Sequence, residues 1–74
     1  MEDQLRKIFK DSFGLEAIDD SLSIDSVHGW DSMAHVGLIM ALQKEFGVSI
    51  TPADSIELTN VGSIREFLRH KGIK

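Results

Sequence analysis

No cysteine occurs among the 74 residues, so a disulfide framework, a zinc-finger spacing and a thiol nucleophile are all excluded, and a reducing compartment is comfortable. No apolar run approaches the roughly 20 residues that a membrane-spanning helix needs. The start, Met1-Glu2-Asp3-Gln4-Leu5-Arg6, is charged helix material without the apolar stretch of a signal peptide, so an untargeted cytoplasmic chain is expected. Glycine-rich runs leading into Lys-Ser or Lys-Thr are missing, which removes the phosphate-cradling loop. Repeats, low-complexity stretches and internal linkers are missing too, and residues 1–74 read as one small domain. A chain this short has little room for a catalytic cleft, so its chemistry needs a partner.

Bases are scarce in one region. From Asp11 to Glu57 nine acids face one base, Lys44, whereas from Leu58 to Lys74 four bases face one acid, Glu66. An acidic middle repels nucleic acid phosphates and attracts basic protein surfaces. The segment Pro52 to Leu58, which a helix-turn-helix reading would make the recognition helix, carries Asp54 and Glu57 and no base. Phosphate contact needs the opposite sign, so no nucleic acid partner is expected.

What is present is helical periodicity. Leu5, Ile8, Phe9 and Phe13 recur at helical spacing and predict a first helix over about 2–13, stopped by Gly14. Leu15, Ile18, Leu22, Ile24 and Val27 are single apolar anchors in a long Asp- and Ser-rich loop. A second helix is predicted over 32–46, with Asp31 as its N-cap and Gly47 past its end. Thr51-Pro52-Ala53-Asp54 starts a short third helix over 52–57: Thr caps, Pro suits the first helical position and Asp complements the dipole. Val61, Ile64, Phe67 and Leu68 define a fourth over 61–71, capped by Asn60 and ended by Gly72. The fold class is all-α: a small four-helix bundle with a long first loop and a short third helix. Val48 to Thr51 is the only β-like run, and it is too short to make a sheet.

The second helix has two apolar faces. At 100° per residue, with Met33 at zero, Leu38, Ile39, Leu42 and Phe46 fall between about 140° and 240°, the core side. Met33, Val36 and Met40 fall between about 300° and 360°. A monomer's surface helix needs one such face, so the second reads as a docking surface, with adaptable methionines. The competing reading covers that stripe with the long loop or the third helix. His35 points to the core side at about 200°, where it is either satisfied by a loop carbonyl or lines an opening between helices. Trp30 either anchors the loop against the bundle or meets a partner.

Ser32, in Gly29-Trp30-Asp31-Ser32-Met33, is a hydroxyl where loop gives way to helix. Ser32, His28, His35 and Asp31 supply the residue types of a hydrolase, but the trailing glycine of a nucleophile elbow is absent and Asp31, adjacent to Ser32, cannot orient a histidine. Metal binding fares no better, since the three histidines form no spaced pair and Asp19-Asp20 with Asp25 lacks the glycine and terminal glutamate of a calcium loop. Ser32 therefore reads as a residue presented for modification.

Trp30-Asp31-Ser32-Met33 leading into Val36-Gly37-Leu38-Ile39-Met40-Ala41-Leu42-Gln43-Lys44-Glu45-Phe46-Gly47-Val48-Ser49-Ile50 resembles the Asp-Ser-Leu attachment motif and central helix of acyl carrier proteins. The resemblance spans nearly the whole chain, with the other helices in the family's order. It implies a non-enzymatic carrier whose Ser32, next to the motif residue Asp31, receives 4'-phosphopantetheine from coenzyme A through a separate phosphopantetheinyl transferase. The arm's thiol would carry acyl intermediates as thioesters between loading, transfer or condensing enzymes of a fatty-acid, polyketide or specialised lipid pathway. His35 and Ile39 would help line a shelter for the acyl chain. Two departures are visible: Met33 stands where leucine is usual and Trp30 where a small residue is common. Ala34, Gly37, Gln43 and Lys44 also leave Glu45 as the only acid on the helix after Ser32. These features imply a specialised, monomeric member whose docking leans on Met33, Val36, Met40 and Trp30. An aminoacyl or peptidyl carrier shares the arm and differs only in cargo, and an unmodified protein-interaction domain is the third alternative.

Overall fold

A computed structural model describes all residues, Met1–Lys74, and places four helices along the chain: α1 (Glu2–Phe13), α2 (Ser32–Phe46), α3 (Pro52–Glu57) and α4 (Val61–His70). Their starts are set by local chemistry. The Asp31 carboxylate accepts the Ala34 N–H at 2.9 Å and so satisfies one of the orphan donors of α2. Thr51 and Asp54 form a reciprocal capping box at α3, with Pro52 at the first helical position, where a missing N–H costs nothing. Asn60 accepts from the Ser63 N–H at 2.7 Å and starts α4. At the far end of α2, Gly47 turns left-handed at φ 63°, a conformation open to glycine without steric cost. Helix α4 stops at His70; Lys71, expected inside it, already closes the end by donating to the carbonyls of Phe67 and Leu68.

The architecture is the expected all-α bundle, without a β-sheet. One isolated antiparallel bridge joins Ser23 to Asn60. Around it Ile24 donates to the Thr59 carbonyl and Val61 to the Leu22 carbonyl, both at 2.9 Å, so the long loop is sewn to the start of α4 by main chain as well as by its apolar anchors. The β-like run after Gly47 takes no part.

Every one of the 13 buried residues is hydrophobic. Leu5, Ile8 and Phe9 of α1, Leu38, Ile39 and Leu42 of α2 and Val61, Ile64 and Leu68 of α4 meet there, joined by Val27, Trp30, Ile50 and Leu58 from the connections. Helix α3 contributes no buried residue. Arg65 clasps the outside: only 14% of its side chain is exposed, its fork donates to both Glu2 carboxylate oxygens at 3.0 and 2.8 Å, and it also reaches Asp20. The Glu2 bond, more than Asp20, pushes its pKa further up against the desolvation that opposes it. An interior without polar groups leaves chemistry to the surface.

Candidate functional site

Ser32 is the first residue of α2 and is exposed. Gly29, at φ 90°, makes the turn before it, and three residues later the chain enters the helix at Ser32. Asp31 remains extended, which aims its carboxylate back along the helix axis at Ala34 rather than at the serine. Both ring nitrogens of His35 are engaged elsewhere: Nδ1 accepts the Trp30 indole N–H at 3.0 Å, and Nε2 lies 2.9 Å from the Ser55 carbonyl oxygen. The two bases nearest in sequence are thus committed to structure. Ser32 has no activating partner in them, and the arrangement presents a hydroxyl at the positive end of a helix dipole instead of generating a nucleophile.

The apolar stripe of α2 is open to solvent, with Met33 86%, Val36 60% and Met40 63% exposed. Neither the long loop nor α3 covers it. Ile56 on the neighbouring α3 is 73% exposed as well, a residue that a six-residue helix gives too little periodicity to single out. Trp30 is 2% exposed, so of its two readings the anchor of the loop against the bundle holds and its place on the docking face is corrected. Its ring is turned inward, edge-on to Phe9 and stacked on Phe13, both at centroid distances of 5.5 Å. A large ring gains more by closing the bottom of a small core than by remaining in water, and His35 supplies the partner its N–H requires.

Between α2 and α3 lies an open groove lined by Val36, Ile39, Met40, Ile50, Pro52 and Ser55. Ile39, 7% exposed, forms part of its floor, and His35 bridges the same two helices through Ser55. No group of three or more His, Cys, Asp or Glu residues is placed to hold a metal ion. No helix is long and apolar enough to cross a membrane.

The family model for the phosphopantetheine attachment site matches residues 3–68. The chain belongs to the acyl carrier protein family. An acyl carrier protein of Buchnera aphidicola subsp. Baizongia pistaciae (strain Bp) is 32% identical over 72 residues, covering 93% of this chain and 91% of the relative. Members of this carrier family are not catalysts; their cofactor is a covalently attached 4'-phosphopantetheine, and they work with transferases and acyl-handling enzymes. The structure accommodates such a group: a free-standing hydroxyl at a helix start, beside backbone N–H groups that favour a phosphate's charge, with no buried acid opposing it.

Proposed function

We propose that Ser32 is the attachment residue and that this carrier presents acyl groups to dedicated enzymes of a specialised lipid or polyketide-like pathway. The observation that carries the assignment is the exposed Ser32 hydroxyl at the first position of α2, with Asp31 and His35 both turned to structural partners. A serine so placed cannot activate itself. A phosphopantetheinyl transferase must bring the base and the metal, taking the arm from coenzyme A. Once attached, the arm supplies a terminal thiol that holds the acyl group as a thioester.

This chain's own residues then do two things. Met33, Val36 and Met40 present an adaptable apolar face beside the attachment point, which supports docking by packing more than by charge. Ile39 lines the α2/α3 groove, which supports its sheltering the first part of an apolar cargo, and His35 contributes by bridging the two helices through Ser55. The lack of cysteine suits the cytoplasm, where we place the protein. Incubation with coenzyme A and a permissive transferase should add about 340 Da to the intact mass, a covalent modification absent from Ser32→Ala. A bare polypeptide mass under those conditions would instead favour an unmodified interaction domain. Cargo class is read by mass spectrometry of protein isolated from its host, where an aminoacyl load would replace the acyl reading.

A further inference from the structure

The Trp30–His35–Ser55 relay joins three elements: the end of the long loop, the first turns of α2, and α3. Its proton arrangement is dictated, because an indole N–H only donates. His35 Nδ1, 3.0 Å from Trp30 Nε1, must therefore be the unprotonated nitrogen, which makes Nε2 the N–H that donates to the Ser55 carbonyl at 2.9 Å. Neutral imidazole satisfies both bonds at once. Imidazolium cannot, since it would set an N–H against the indole N–H. Turning the ring to relieve that opposition also removes Nε2 from Ser55, because both nitrogens belong to one rigid plane.

Helix α3 has unusual need of this bond. It has six residues and buries none of them, so its attachment rests on its flanks, where Ile50 is buried and its N–H donates to Gln43 Oε1 of α2 at 2.9 Å and Leu58 is buried, and on His35. Its docked position forms one wall of the groove whose floor includes Ile39 and Ile50. We propose that the relay is a protonation-sensitive latch, closed with neutral His35 and opened by imidazolium, which frees α3 and widens the α2/α3 groove. Only the consequence for cargo rests on the carrier reading; the latch belongs to the unmodified chain.

Titratable neighbours do not substitute for the indole. On the loop side these are His28, which is exposed, and Asp31, whose carboxylate caps Ala34. On α3 they are Asp54, which is held in the capping box, and Glu57, which is exposed. On α2, Lys44 and Glu45 come about two and a half turns later. None of the chain's ion pairs includes His35, so a proton arriving there meets no counter-ion that would keep the latch shut.

The test is a heteronuclear NMR titration of the unmodified full chain from pH 8 to pH 5, with His35→Gln and Trp30→Phe alongside. At pH 8 the His35 nitrogens should show Nδ1 unprotonated and Nε2 protonated. On acidification the amides of Ser55, Ile56 and Ile50 should move with the midpoint of the His35 ring. That movement should be lost in H35Q, whose side chain can still donate to Ser55 but gains no proton. In W30F, which keeps a ring but removes the N–H, Nε2 should keep its proton on the Ser55 carbonyl, while the α3 amides lose their response to His35 protonation, because an Nδ1–H no longer faces an indole N–H. An Nδ1–H tautomer at pH 8, α3 amides that ignore the His35 midpoint, or the same titration in H35Q would each overturn the latch. Those results would leave the mass increment at Ser32 untouched, so failure of the latch and failure of the carrier assignment are separate outcomes.

Discussion

Glycine tests the structure most sharply at the residue scale, because the same substitution has opposite signs at two helical positions. A Cβ at Gly62 would lie 3.2 Å from Asn60 Oδ1, 3.3 Å from Asp20 Cβ and 3.4 Å from the Asp20 carbonyl oxygen, and two of these atoms belong to loop that is already tied to α4. A Cβ at Gly37, on α2, meets nothing within 4 Å. Gly37→Ala should therefore stabilise by about 0.5–1 kcal/mol through helix propensity, whereas Gly62→Ala should cost about 1 kcal/mol through crowding. Urea denaturation of the pair checks both signs. Asp19 gives a pH-dependent counterpart. The Ser21 hydroxyl, and then the Ser21 backbone N–H at 2.8 Å, hold its carboxyl below the ordinary value of 3.8. A depressed folded value means stabilisation that is present above the unfolded value and fades as pH falls through the folded one. Asp19→Asn should lower the urea midpoint slightly at pH 7, and the difference from the parent should shrink once pH drops below 3.8.

Among the elements, α2 does most to set this carrier apart, because its exposed side is apolar and nearly free of acids. If docking depends on Met33, Val36 and Met40, truncation of Met40 should reduce transfer by a cognate enzyme more than charge reversal of Glu45. About tenfold for Met40→Ala corresponds to losing roughly 1.4 kcal/mol of contact. A larger loss from Glu45→Lys in the same assay would return recognition to electrostatics. The elements themselves were legible because their signals are local: Asp31, Thr51 and Asn60 are read as caps from their own neighbourhoods, and each carries its cap bond. Trp30 was not legible in the same way. Sequence places an indole before the attachment motif, but Phe9 and Phe13, which draw it inward, lie on another helix. The His35–Ser55 contact is hidden for the same reason, since a carbonyl 20 residues away leaves no trace in side-chain pattern. A loop-to-α4 bridge at Ser23 and Asn60 likewise depends on backbone groups that every residue has.

At the scale of the whole molecule, a 74-residue chain with 13 buried residues has a small core and little stability in reserve. Connections that close long stretches of chain therefore matter disproportionately. Arg65 is the clearest of them: it joins the first turn of α1, the middle of the long loop and α4 in one forked contact, with a sequence separation of 63 residues to Glu2 and 45 to Asp20. Periodicity gives no sign of it, because Arg65 looks like any polar residue between Ile64 and Phe67. Its partners keep substantial exposure, Glu2 47% and Asp20 72%, so water screens the attraction and the geometry of the fork counts for more than the charge. Arg65→Met should cost about 1–2 kcal/mol, because it leaves the packing of the stem and removes the hydrogen bonds. Arg65→Lys should recover less than half of that loss, since an ammonium cannot fork across the Glu2 carboxylate while also reaching Asp20. Thermal melts followed by circular dichroism at low and high salt decide the matter. If the clasp acts by geometry, the deficit of Arg65→Met persists at high salt; if Lys restores the parent's midpoint and salt removes the difference, net charge alone holds the loop to the bundle.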